Sequence, residues 1–254
     1  NQIFENLKNS VDKIVNGMVV YIDSKSEDTI VEIDSIRARL PRKNRIKGEV
    51  FKVGQSISCI LKPIYIDNRY GIQIELSRTA PKFLEELLKL EVPEIADGEV
   101  SIMKCSRIPG VRSKVAVSSN TARIDPVGAT VGVKGVRINA VSKKICGESI
   151  DCVEYSSVPE VFISNALSPA KIVGVKMLEN KAIISLYSDQ KSKAIGKEGV
   201  NIRLTSMLLG MELEIEDLGI NPNALNMQNI KEAEKQQNDI KESGKQLLES
   251  LFKS

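Results

Sequence analysis

Two stretches of this 254-residue chain carry the same letters at a fixed spacing, and nothing else in the sequence constrains the fold as strongly. Asp125, Gly132, Gly135, Val136 and Ile138 recur as Asp189, Gly196, Gly199, Val200 and Ile202, each 64 positions later. Gly147 recurs as Gly210 after 63, and VAVSS at 115 recurs as ISLYS at 184 after 69. The first copy therefore carries about five extra residues before Asp125. A shared period of this kind marks one structural unit used twice. Hydrophobic periodicity fills in the elements. The first unit reads as strands over 99–107 and 113–118, a helix–loop–helix over 127–145 and a strand over 148–155. The second reads as a helix over 159–167, strands over 171–178 and 181–187, a helix–loop–helix over 189–209 and a strand over 211–217.

Each copy places a Gly-x-x-Gly between its two short helices. The loops are Gly132-Val133-Lys134-Gly135 and Gly196-Lys197-Glu198-Gly199. Glycine permits positive φ and lets another backbone come close. The second glycine opens a helix, whose free N–H groups and dipole favour an anion. This is the arrangement by which a K-homology (KH) domain clamps the backbone of single-stranded RNA. Candidate RNA contacts in the first unit are the four loop residues with Arg112, Lys114 and Arg137. In the second they are the four loop residues with Asn201 and Arg203. Glu198 would repel a phosphate and is expected to face solvent. Val131, Val136, Ile138, Ile195, Val200 and Ile202 are candidates for the base groove or the core beneath it.

Charge is spread unevenly around these loops. Residues 101–150 hold nine basic and two acidic side chains, a net +7, while 151–217 hold seven basic and ten acidic, a net −3. A basic excess around a phosphate-type loop predicts that the first unit carries more of any salt-dependent RNA affinity. The whole chain has a net charge of only +3, so the total says little. It has no histidine, which removes Ser-His and Cys-His catalysis. Its four cysteines, Cys59, Cys105, Cys146 and Cys152, form no CxxC pair and read as reduced thiols rather than zinc ligands. No catalytic residue, metal or cofactor is expected. No apolar run approaches a membrane span and no signal peptide opens the chain, so a cytoplasmic protein is expected.

Before the repeats, the period switches to two. GMVVYIDS, DTIVEID, IRARLP, QSISCILKPIYID and GIQIELS are five strand-like runs, expected to form a small barrel of the oligonucleotide-binding (OB) kind. Arg42, Lys43, Arg45 and Lys47 in its basic loop are candidate RNA contacts of a weak kind. Tyr21, Phe51, Tyr65 and Tyr70 are its only candidates for stacking on bases. Residues 1–13 read as the end of a helix with Ile3, Phe4, Leu7 and Val11 on one face, PKFLEELLKLE as a helix stopping near Pro93, and 221–254 as a polar helical or disordered tail. The chain opens on Asn1 rather than Met, as expected of a piece of a longer protein.

The order barrel, KH, KH resembles the NusA family of bacterial transcription elongation and termination factors. The letters that carry the resemblance are LSRTAPKFLEELLKLEVPEIADGEV, SRIPGVRSKVAVSS, DPVGATVGVKGVRI, GESIDCVEYS, NALSPAKIVGV and AIGKEGVNIRL. It implies an α+β multidomain fold. An S1 barrel, a form of the OB fold, would span 14–79, and two tandem type II KH domains would span 80–156 and 157–220. It implies a non-catalytic protein, expected to be monomeric. Such a protein would bind nascent single-stranded RNA, RNA polymerase and other transcription factors, and modulate pausing, termination and antitermination. Residues 1–13 could hold only the last helix of the family's N-terminal polymerase-binding domain. Val133 stands where that family often has proline, and Val200 where it often has a polar residue.

The rival reading is an S1/KH subunit of an RNA-processing assembly of exosome or phosphorylase type. Polynucleotide phosphorylase has its KH before S1, and exosome caps have a single KH. A single-KH ribosomal protein is disfavoured by the barrel and by the second copy.

Overall fold

The computed structural model describes residues 7–69 and 71–222. It opens with a curled antiparallel sheet built from β1 (Ile14–Ile22), β2 (Thr29–Ile33), β3 (Ile36–Leu40), β4 (Ser56–Leu61) and β7 (Leu76–Ser77), in the order β3-β2-β1-β4-β7. The sheet curls until β3 meets the segment before β7. There Arg39 N donates to Ile74 O at 2.8 Å and Arg39 bridges Glu75 in parallel. A separate hairpin, β5 (Tyr65–Asp67) with β6 (Gly71–Gln73), stands off this sheet. The two last strand-like runs of the sequence are thus each split. Pro63 offers no N–H to continue a ladder, and β4 stops at Leu61. Alternate residues Val19, Val31, Leu40, Leu61 and Leu76 fill the interior. Leu7 also packs there, while Ile3, Phe4 and the tail beyond Pro222 lie outside the described residues.

The chain then forms α1 (Pro81–Glu91), with proline at its first turn, and a one-turn α2 (Pro93–Ala96). Buried Phe83, Leu84, Leu87 and Leu88 make one face of α1. That face packs on a three-stranded sheet of β8 (Val100–Ile108), β9 (Arg112–Ser119) and β10 (Ser149–Glu154), together with α3 (Pro126–Val131) and α4 (Val136–Lys144). The second unit follows α5 (Pro159–Ala166). It has β11 (Gly174–Met177), β12 (Lys181–Leu186), α6 (Ser188–Ile195), α7 (Val200–Leu209) and β13 (Glu212–Asp217). In both sheets the first pair is antiparallel and the second parallel. Even the register repeats. Arg112 pairs with Ser149, and Lys181 pairs with Glu212, shifts of 69 and 63 that match the sequence offsets. The extra residues of the first unit fall in the connection between Ser119 and Pro126.

Two seams join these units. Ile46 and Ile60 of the barrel are buried within the cluster of the first KH unit. Arg78 staples that junction, pairing with Glu49 at 2.6 Å and donating to Lys144 O at 3.0 Å. Arg107 and Glu148, both fully buried, pair at 2.8 Å, and Arg107 also donates to Arg78 O at 2.7 Å. Between the two KH units, Ala116 and Val153 of the first sheet meet Phe162 and Ala166 of α5 and Leu208 of α7. Strand β9 is therefore covered on both faces: Val115 and Val117 face its own helices, and Ala116 faces the second unit.

Candidate nucleic-acid interface

The two Gly-x-x-Gly loops have the same backbone. Gly132 and Gly196 sit at φ/ψ of 76/167° and 76/172°, a region open essentially to glycine alone. Lys134 and Glu198 are left-handed at φ 53° and 54°, as are Gly135 and Gly199 at φ 76° and 72°. Each loop is a single 3-10 turn closed by the second glycine's N–H on the first glycine's carbonyl, at 3.0 and 3.2 Å. Neither α4 nor α7 has a side-chain cap, because a glycine occupies the N-cap position. The first-turn N–H groups and the positive end of the helix dipole therefore face the loop.

What holds each loop comes from one equivalent position, two residues after the second glycine. Arg137 donates to Ala129 O at 2.6 Å and to Glu94 at 2.7 Å. Asn201 donates to Lys193 O, the counterpart of Ala129 O, at 3.1 Å, to Ala194 O at 3.1 Å and to Leu167 O at 3.2 Å. Both side chains satisfy carbonyls at the end of the helix before the loop. They also lie under the first glycine. A Cβ on Gly132 would stand 2.8 Å from Arg137 Cγ, and one on Gly196 would stand 2.7 Å from Asn201 Cβ. Arg137 and Asn201 were expected on the RNA-facing flank and are instead locks on the loop. Their common register 64 apart was the signal for this role. Arg203 falls opposite Asn139 rather than Arg137, and it is exposed.

Lys114 also departs from expectation. Its side chain is fully buried, and its Nζ lies 3.5 Å from Asp151 Oδ2. Burial pulls its pKa below the ordinary lysine range, with Asp151 opposing the shift. It cannot contact RNA, because its face of β9 is covered by the second unit. Arg112 does remain accessible, 42% exposed, with Nη1 3.3 Å from the same Asp151 carboxylate. Arg112 and Ser149 line one wall of a cleft whose other wall is Gly196, Lys197 and Glu198. The second loop thus opens toward the first unit's sheet.

The basic excess of the first unit is largely used internally. Arg107, Arg112, Lys114, Arg137 and Lys144 all pair with carboxylates. Arg123, Lys134 and Lys143 remain exposed, as do Lys193 and Lys197 in the second unit. Val133 and Val136 of the first loop are 81% and 64% exposed, so Val136 is surface rather than core. Glu198 is exposed, as expected.

In the barrel, the basic loop is pinned by its uncharged residues. Asn44 Nδ2 donates to Glu75 at 2.7 Å and to Leu76 O at 2.9 Å, and Ile46 is buried. Lys43 and Lys47 are exposed. Arg42 and Arg45 both pair with Glu27, and only 13% of the Arg45 side chain is accessible, so Arg45 is a structural cation rather than a free RNA contact. Phe51 belongs to the core, Tyr21 and Tyr65 are exposed, and Tyr70 lies outside the described residues. Burial pushes the Cys59, Cys105 and Cys152 thiols to about 12 and Cys146 to about 11, so all four stay protonated at neutral pH. No helix among the described residues is long and apolar enough to cross a membrane.

Comparison with known proteins agrees with this architecture. Residues 78–155 match the model of the NusA-like first KH domain, and residues 159–222 match that of the NusA-like second KH domain. The chain is 43% identical to the transcription termination/antitermination protein NusA of Helicobacter pylori strain 26695, over 99% of this chain and 68% of that protein. It is 38% identical to the protein of the same name from Thermus thermophilus, over 99% of this chain and 65% of that one. With the Bacillus subtilis 168 protein the identity is 38%, over 84% of this chain and 58% of that one. With both tandem domains matched and two of these relatives aligned along 99% of its length, the chain belongs to the NusA family.

Proposed function

We propose that this chain is a non-catalytic, cytoplasmic RNA-binding factor. It would hold nascent single-stranded RNA and act in transcription termination and antitermination, as its relatives are named for. Residues 14–79 would serve as an S1 barrel, 80–156 as the first KH domain and 157–220 as the second. RNA polymerase and other transcription factors would be its protein partners. The observation that carries the reading is the pair of loops with one backbone, each placing an uncapped helix N-terminus and an exposed lysine, Lys134 or Lys197, where a phosphate can approach. Arg112, Arg203, Lys43 and Lys47 would add weaker contacts. The RNA-processing alternative loses ground because its assemblies lack this barrel–KH–KH order.

Gly199→Asp tests the reading cleanly. A Cβ at Gly199 meets nothing within 4 Å, and Asp tolerates the left-handed backbone found there better than most residues. The added carboxylate should cut affinity for single-stranded RNA roughly tenfold by repelling phosphate. Filter binding or fluorescence anisotropy measures it. Unchanged affinity would reduce the second loop to a turn.

A further inference from the structure

Arg112, Lys114 and Asp151 form a triad of two cations and one carboxylate at the cleft beside the second loop. Their positions are unequal. Lys114 is fully buried, Asp151 is 29% exposed and Arg112 is 42% exposed and lines the cleft. Both cations reach the same oxygen, Asp151 Oδ2, at 3.3 Å from Arg112 and 3.5 Å from Lys114. Arg112 pairs with Ser149 in the β9–β10 ladder, and Lys114 pairs with Asp151 itself. All of these side chains project to the sheet face that the second unit covers.

A lone Asp151–Arg112 pair would be neutral, and an incoming phosphate would have to compete with the carboxylate for the guanidinium. Lys114 changes that balance. It supplies Asp151 with a resident counterion, so the triad carries one net positive charge, and Arg112 can turn to an anion without stranding a carboxylate. We infer that Lys114 is a positioning residue: shut away from solvent, it keeps Arg112 available to a phosphate in the cleft by neutralising Asp151. This deepens the RNA-binding reading above and rests on it. The anion is a phosphate of an RNA strand, since the facing wall is the Gly-x-x-Gly loop.

Three variants separate this role from simple packing. Lys114→Met keeps the volume and removes the charge, and Asp151, itself 29% exposed, keeps Arg112 as its counterion rather than being stranded. Affinity for a random-sequence single-stranded RNA pool should fall about fivefold, and the slope of log affinity against log salt should lose about one unit between about 50 and 200 mM salt. Asp151→Asn frees Arg112 and should raise affinity about twofold. The double variant Lys114→Met with Asp151→Asn should return affinity and slope to the wild-type values or above. A folded fraction that stays constant over the salt range, checked by circular dichroism, shifts log affinity without changing its slope, so partial unfolding cannot mimic the pattern. Wild-type affinity in Lys114→Met, or a double variant as weak as Lys114→Met, would overturn the inference while leaving RNA binding intact. Failure of the wild-type chain to bind the pool would instead sink the RNA-binding reading itself.

Discussion

In the first loop a long, half-buried arginine reaches back to one carbonyl and a carboxylate. In the second, a short, buried asparagine reaches back to three carbonyls from the equivalent position. The backbones they hold are the same within a few degrees. The comparison shows that the loop conformation does not depend on one side chain. It needs a donor under the first glycine that can replace the missing N–H partners of the preceding helix end. Arginine does this with a stem that can shift, while asparagine does it close to the backbone, leaving little slack. The two loops should therefore differ in tolerance to change.

The largest test of that difference is alanine at the first glycine. Both sites carry the same backbone penalty, since φ is 76° in each. At Gly196 the new Cβ would also meet Asn201 Cβ at 2.7 Å and the Asn201 backbone nitrogen at 2.9 Å, atoms that cannot move without moving α7. At Gly132 the two nearest atoms are Arg137 Cγ and Cδ, at 2.8 and 3.0 Å, which can swing aside more readily than a backbone atom. Gly196→Ala should cost about 4 kcal/mol and Gly132→Ala about 2 kcal/mol in denaturant unfolding. Equal losses would show that the arginine is held as tightly as the asparagine.

Removing the locks themselves comes next. Asn201→Ala removes three bonds, two of them buried, and takes the side-chain donor from Lys193 O and Ala194 O while Leu167 O keeps Ala170 N at 3.1 Å, so it should cost about 2 kcal/mol. The Asn201 Oδ1 is itself buried without a partner, which keeps the loss from being larger. Arg137→Ala frees one carbonyl and breaks a partly exposed pair with Glu94, for about 1 kcal/mol. A reversed order would mean that the Glu94 contact, and not the carbonyl, holds the first loop.

The repeat itself was legible in the sequence down to its strand register, because the offsets of 69 and 63 before and after the helices survive as pairs Arg112–Ser149 and Lys181–Glu212. Which cations face RNA was not legible. In the alternation of RSKVAVSS, Lys114 and Ala116 fall on the face opposite Val115 and Val117, and for a domain alone that face would be solvent. Only the docking of α5 and α7 buries it. The cue was compositional: Phe162, Ala166 and Leu208 needed an apolar partner outside their own sheet. Arg107 and Glu148 enter the same charge count but are spent on each other at the opposite seam, where Arg78 and Ala80, leading in from the barrel, cover them. The split of the last barrel runs has its cause in Pro63, and the turn letters at 68–71 between those runs mark the hairpin of their outer halves, in which Asp67 pairs with Gly71.

The charge contrast of +7 against −3 therefore overstates how the loops differ toward RNA. Most of the first unit's cations have internal partners, and acids of the second, such as Glu214 and Asp217, pair with Lys181 and Lys191. At the loops themselves the difference is Glu198, which occupies the left-handed position that Lys134 holds in the first. The smallest effect expected is thus the most specific. Glu198→Gln removes an exposed carboxylate from a place where a phosphate approaches, without altering the backbone that glutamine and glutamate share. It should raise affinity for single-stranded RNA about twofold, and the gain should shrink as salt rises, since an exposed charge is screened within about 8–10 Å at physiological ionic strength. Lys134→Ala should lower affinity with a salt slope reduced by about one, and Lys197→Ala by about the same amount. Should Glu198→Gln leave affinity unchanged while Lys197→Ala lowers it, the carboxylate points away from the bound strand, and the two loops present equal charge to RNA.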